Sequence, residues 1–134
     1  MTIWLGIDTS SGTSVAIGDG ATLLAEINFQ DTMGHAENIG DAIAQVLQSA
    51  KLAPRDIDAV VVGRGPAPFT GLRVGIAAAV AFAEGIGVPI YGVVSHDAIA
   101  LSDLSTETSS QADHLVVRTD ARRREEYWSL YTGL

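Results

Sequence analysis

The first part of the chain carries three short apolar runs separated by turn residues. Residues 3–7 predict a strand, Asp8 to Thr13 a turn, and residues 14–17 a second strand. Gly18, Asp19 and Gly20 signal a tight hairpin, and residues 22–29 complete an antiparallel meander. The period then turns helical over residues 35–50. Ile39, Ile43, Val46, Leu47 and Ala50 share one face, while Glu37, Asp41, Gln45 and Gln48 lie elsewhere. Pro54 and Asp56 mark a loop before a fourth strand at 57–62. A long apolar helix follows, then a fifth strand at 88–94, and Ser95 is placed to cap a short helix at 96–101. The order β-β-β-α-β-α-β-α predicts an α/β domain with a mixed sheet and helices on its faces.

The segment 63–75, GRGPAPFTGLRVG, carries the most information. It joins the fourth strand to the long helix through Gly and Pro, and Thr70 is placed to cap that helix. Such turns aim backbone N–H groups at the carboxyl ends of the strands, where open α/β sheets bind ligands. From residue 72 to 86 the only charges are Arg73 and Glu84. A helix apolar all round is covered on both sides, and one sheet covers only one side. Leu72, Ile76, Ala79, Val80 and Ala83 form one stripe, with Val74, Ala78, Ala81 and Phe82 nearly opposite. Gly71, Gly75 and Ala78 are small enough to admit a second helix closely. The pattern therefore favours a partner on the outer flank over cover by the chain itself.

Residues 1–103 read as one domain. Residues 104–112, beginning LSTETSSQ, form a polar connector without periodicity, and 113–134 read as the start of a truncated second domain. Two strand-like runs, 114–118 and 127–131, fall there, and a lone hairpin is not stable in water.

Composition narrows the function. With 47% hydrophobic and 18% charged residues, the 134-residue chain is globular. A net charge of −8 argues against a main phosphate-gripping surface for nucleic acid. There is no cysteine, hence no disulfide framework, thiolate metal site or cysteine nucleophile. The N-terminus lacks a signal-peptide pattern, and the stretch 74–83 is too short to cross a bilayer, so a cytoplasmic protein is expected.

Asp8, Thr9 and Ser10 are the candidate cofactor-binding residues, since a carboxylate orders metal-bound water and hydroxyls meet phosphate oxygens. The competing reading, a plain hairpin turn, is favoured by turn chemistry. His35 has Ile39 one helical turn later, and His96 and His114 lie in other elements, so no metal site is expected. No Gly-x-Ser-x-Gly elbow occurs. The 64–73 turn carries Arg64 and Arg73 but no lysine, and matches no P-loop; a turn-shaping role is favoured over anion binding. Arg122, Arg123 and Arg124, beside Glu125 and Glu126, read as a solvated tip.

Three blocks carry a resemblance: LGIDTSSGTSVAI, then GPAPFTGLRVGIAAAVAFAEGIGVPIYGVVSHDAIA, then DARRREEYW with Tyr131. In this order they resemble the TsaB (YeaZ) family, subunits of the bacterial machinery that makes threonylcarbamoyladenosine on tRNA. The family pattern has Gly-Ser where this chain has Ala67-Pro68, which points away from phosphate cradling by this turn. The resemblance implies one half of the actin, Hsp70 and sugar-kinase fold, a ribonuclease-H-like unit whose first hairpin turn contacts nucleotide in that superfamily. It implies a non-catalytic subunit, with no catalytic residue and no cofactor of its own, that pairs with TsaD through the first two helices. On this chain those helices carry Ile39 and Ile43, with Leu72, Ile76, Ala79, Val80 and Ala83. TsaE is the further implied partner, with homodimers when TsaD is absent. No direct tRNA contact is expected, from the acidic net charge and the solvated arginine tip, and no membrane, from the short apolar stretch. The alternative from another class is the N-terminal lobe of an ATP-dependent kinase or ATPase of the same fold.

Overall fold

The computed structural model describes residues 2–30, 35–106 and 113–133, and, within the first helix, side chains from Asn38 onward. Strands β1 (Ile3–Asp8), β2 (Thr13–Asp19) and β3 (Thr22–Phe29) form the meander, and α1 (His35–Ala50) follows. A one-turn 3-10 segment at Pro54–Asp56 leads into β4 (Ala59–Gly63), α2 (Phe69–Ile86), β5 (Ile90–Val93) and α3 (Ser95–Leu104). The last two strands, β6 (His114–Arg122) and β7 (Glu125–Thr132), pair as a separate antiparallel hairpin.

The five-stranded sheet has the order β3-β2-β1-β4-β5. β1 pairs antiparallel with β2 and parallel with β4, and β4 pairs parallel with β5. This is the mixed sheet of a ribonuclease-H-like half. Its helix-facing side carries Leu5, Ile7, Val15, Ile17, Val60 and Val62, all buried. α1 lies over β2 and β3, α2 over β4 and β1, and the two helices touch each other. Alternate residues face the other way, because strand side chains repeat with a period of two. Among these are glycines, and Trp4 explains one. A Cβ at Gly18 would stand 2.1 Å from the Trp4 ring, whose indole N–H donates to the Gly20 carbonyl at 2.8 Å.

Several boundaries shift from the expected ones. Pro68, not Thr70, stands at the N-cap of α2 with φ −55, and no side chain caps it. Proline presets the φ with which the chain enters the helix, so a hydroxyl cap is dispensable. α3 likewise begins at Ser95 after an N-cap Val94, and its end extends to Leu104, inside the expected connector. There the Ser105 and Thr106 hydroxyls donate to the Leu101 and Asp103 carbonyls at 2.8 and 2.7 Å. The remainder of the connector, 107–112, lies outside the described residues. α2 spans 18 residues, long and apolar enough to cross a membrane by length and composition, which corrects the shorter stretch read from sequence. Its inner face is nevertheless committed to the sheet, through buried Gly75, Ala79 and Ala83.

Candidate functional site

Two regions were predicted to carry function: the turn after β1 and the outer face of the helices. The first is a closed network. Asp8 Oδ1 accepts the Ser10 backbone N–H at 2.7 Å and also the Ser10 hydroxyl. Asp8 Oδ2 accepts the Ser95 hydroxyl at 2.6 Å, and Ser95 Oγ accepts the Gly65 N–H at 3.3 Å. Thr9 is buried and donates to the Gly71 carbonyl at 2.7 Å. Asp8, Thr9 and Ser10 thus come together, as the sequence proposes, but with their polar atoms bonded to the chain itself. Ser95 is the member that sequence reasoning missed as such. Its role as a cap was read locally, whereas its partner is 87 positions away.

Beside this network, on the sheet face away from α1 and α2, lies a cavity of about 200 Å³. Gly6, Ala16 and Val61 form its apolar floor, and Asp8, Glu26 and Asn28 supply polar groups. Among the described residues no three His, Asp or Glu side chains converge as metal ligands would. The side chain of His35 lies outside the described residues. His96 is fully buried and bonded at both ring nitrogens, to Ser129 Oγ at 2.7 Å and Thr119 Oγ1 at 2.8 Å. This imidazole ties the β6–β7 hairpin to α3. The Tyr131 hydroxyl donates to Asp97, and the Tyr127 hydroxyl to the Ala67 carbonyl at 3.2 Å, on either side of it. Arg73 lies over the Phe69 ring, 4.8 Å from its centroid, rather than over the turn.

The helix layer needs a correction. Ala79 and Ala83 are 0% and 1% exposed and Ile39 is 8% exposed, all within the chain's own core, so none can meet a partner. Ile43 and Ile76 are half-buried against that core, and Leu72 is half-buried. Of the predicted set only Val80, 37% exposed, faces outward. The open strip of α2 is instead Ala77, Val80 and Ala81, between Arg73 and Glu84, with exposed Phe69 at its start. On α1, Gly40, Asp41, Ala44, Gln45 and Gln48 are exposed. Arg73 and Glu84 fall on the exposed side of α2 with this strip, so the two charges mark the outer face, while Gly75, Ala79 and Ala83 turn inward, where the sheet demands close approach.

The profile of the family described as TsaD: tRNA N6-adenosine threonylcarbamoyltransferase matches residues 23–134. The chain belongs to that family. Within it, the chain is similar to TsaB of Bacillus subtilis, 32% identical over 133 residues, covering 98% of this chain and 55% of that one. An uncharacterized protein of Mycobacterium leprae is 43% identical over 136 residues, covering 98% of this chain and 36% of that protein. Among solved structures, YeaZ from Pseudomonas aeruginosa superposes with a TM-score of 0.85 at 28% identity, covering 98% of this chain and 61% of that one. The likeness to TsaB (YeaZ) proteins thus runs along nearly the whole chain, and the actin-like α/β fold is theirs. The chain spans about half or less of the length of the curated relatives named here.

Proposed function

We propose that this chain is a non-catalytic dimerisation subunit that binds TsaD and supports threonylcarbamoyl transfer to adenosine of tRNA in the cytoplasm. The observation that carries this reading is the outer strip of α2. Ala77, Val80 and Ala81 stand exposed on a helix whose opposite face is sealed into the core. Short side chains there let a partner helix approach closely, and its apolar surface would replace water. α1 supplies the adjoining exposed Gly40 and Ala44. TsaD is the partner, TsaE joins the complex, and two copies of this chain pair through the same surface when TsaD is absent.

The reading as one lobe of an ATP-dependent enzyme gains less support. Both carboxylate oxygens of Asp8 already accept hydrogen bonds from Ser10 and Ser95. Light scattering on a mixture with TsaD gives the mass of the species formed, and a one-to-one complex is expected. Val80→Arg should abolish that complex while leaving the chain folded. A Val80→Arg variant that still pairs at wild-type affinity would put the interface elsewhere. Heat released on adding ATP–Mg²⁺, and lost in Asp8→Ala, would favour the enzyme reading instead.

A further inference from the structure

The exposed residues of α2 recur along one line. Arg73, Ala77, Val80 and Glu84 are exposed, with Ala81 beside them, while Gly75, Ala79 and Ala83 are buried against the sheet. Arg73 and Glu84 stand eleven positions apart. That is three helical turns, so the two share a face, about 16 Å from each other along the axis. Among the described residues neither has an ion-pair partner within the chain. Arg73 lies over the Phe69 ring, 4.8 Å from its centroid, a stack that uses the flat side of the guanidinium and leaves its N–H edge open.

The order has a symmetry that packing on the sheet does not require. Arg73 and Glu84 lie equally far from the midpoint between Ala78 and Ala79, and so do Ala77 and Val80. Half-buried Ile76 and exposed Ala81 form a third pair about that point. Turning a second α2 end for end about it therefore brings each position onto its mate. Positive meets negative at both ends, and the larger Val80 meets the smaller Ala77 in the middle. A parallel pairing instead sets Arg73 against Arg73 and Glu84 against Glu84, where like charges repel. Small central residues allow close approach, and a crossing of roughly 20°, as in helix bundles, keeps both ends in reach.

We propose that this strip takes a second copy of the chain with the two α2 helices antiparallel, Arg73 of each copy paired with Glu84 of the other. The proposal rests on the reading of α2 as an interface, and adds the orientation of the occupant and the two residues that set it. A partner of unrelated sequence has no use for a strip matched to itself, which is why a second copy is favoured. Arg73 and Glu84 determine orientation rather than affinity. Exposed ion pairs add little, and the apolar middle supplies the attraction. Two short helices make less than a standard interface, so the dimer is expected to be weak, in the micromolar range or above.

Sedimentation equilibrium of the whole chain at low salt, carried to several hundred micromolar, tests this. The wild type should reach a dimer that added salt weakens. Arg73→Glu and Glu84→Arg should each weaken self-association about tenfold or more, since each turns two attractions into two repulsions. The variant carrying both exchanges should return to within about threefold of the wild type, because the charges again match. An equimolar mixture of the two single variants should form a heterodimer, although neither pairs with itself. Both side chains are exposed, so an unchanged thermal midpoint shows the fold intact in each variant. The proposal is overturned if the wild type stays monomeric throughout, if either single variant dimerises like the wild type, or if the mixture or the double variant fails to pair. Light scattering with TsaD remains a separate test. A chain that binds TsaD but never itself overturns only this proposal, and a mixture that pairs by charge while the wild type ignores TsaD overturns only the other.

Discussion

The carboxylate of Asp8 occupies the place where Gly63 would carry a side chain. An ideal Cβ at Gly63 would lie 1.8 Å from Asp8 Oδ2 and 2.9 Å from Ser95 Oγ. The glycine that ends β4 is thus fixed by a carboxylate at the end of β1. Gly63→Ala should push Asp8 off Ser95 and cost about 3 kcal/mol, the upper range for forcing an extra methyl into a filled site. Urea unfolding measures it. Gly40→Ala is the control: its Cβ would meet nothing within 4 Å on exposed α1. That variant should be more stable by about 1 kcal/mol.

His96 bridges what sequence reading separated into two domains. Its ring nitrogens meet Thr119 of β6 and Ser129 of β7, so removing the ring takes from two half-buried hydroxyls the imidazole they both bond. His96→Ala should destabilise the hairpin's attachment by roughly 1–3 kcal/mol per unmatched group. Hydrogen exchange locates the loss. Amides of β6 and β7 should lose protection, while those of β1 and β4 keep it. Equal loss across both sheets would mean that the imidazole supports the whole core instead.

How much of this was legible depends on whether the cause was local. β3 and α1 were readable to the residue, since the turn signal at Gly18–Gly20 and the 3.6-residue spacing of Ile39, Ile43 and Val46 are short-range. The turn after β1 was readable as a cluster for the same reason. What Ser95 does was not, because its hydroxyl answers a carboxylate at the far end of another strand. The orientation of α2 had only a faint local signal, Arg73 and Glu84 on its outer side, because the apolar pattern by itself does not separate Ala79, which goes in, from Val80, which goes out.

That orientation has its own test. Ala79 is fully buried over the sheet, whereas Ala81 is exposed on the outer strip. Ala79→Leu should overpack the helix–sheet contact and cost about 1–3 kcal/mol in the isolated chain. Ala81→Leu should leave the unfolding midpoint of the isolated chain within experimental error and disturb only association with a partner. Thermal unfolding of both variants, with no partner present, separates the two faces. If Ala81→Leu proves the more damaging, the helix is rotated from the orientation described.

Tyr131 gives the attachment of the hairpin a pH dependence. Partial burial, and then its hydrogen bond to Asp97, hold its phenol above the ordinary value near 10. The folded chain therefore favours the neutral phenol. Its contribution is fully present below the unfolded value and is lost as pH rises through the higher folded one. Stability should fall more steeply in the wild type than in Tyr131→Phe as the solution passes above about pH 10. The Arg118–Glu126 pair acts at the other end. The hydrogen bond from Arg118 lowers the Glu126 carboxyl, so its contribution is present at neutral pH and lost on acidification. That pair stands in open solvent, where such contacts contribute little. The alkaline limb, followed by unfolding at stepped pH, is thus the informative one, and identical curves for wild type and Tyr131→Phe would remove the Asp97 contact from the attachment.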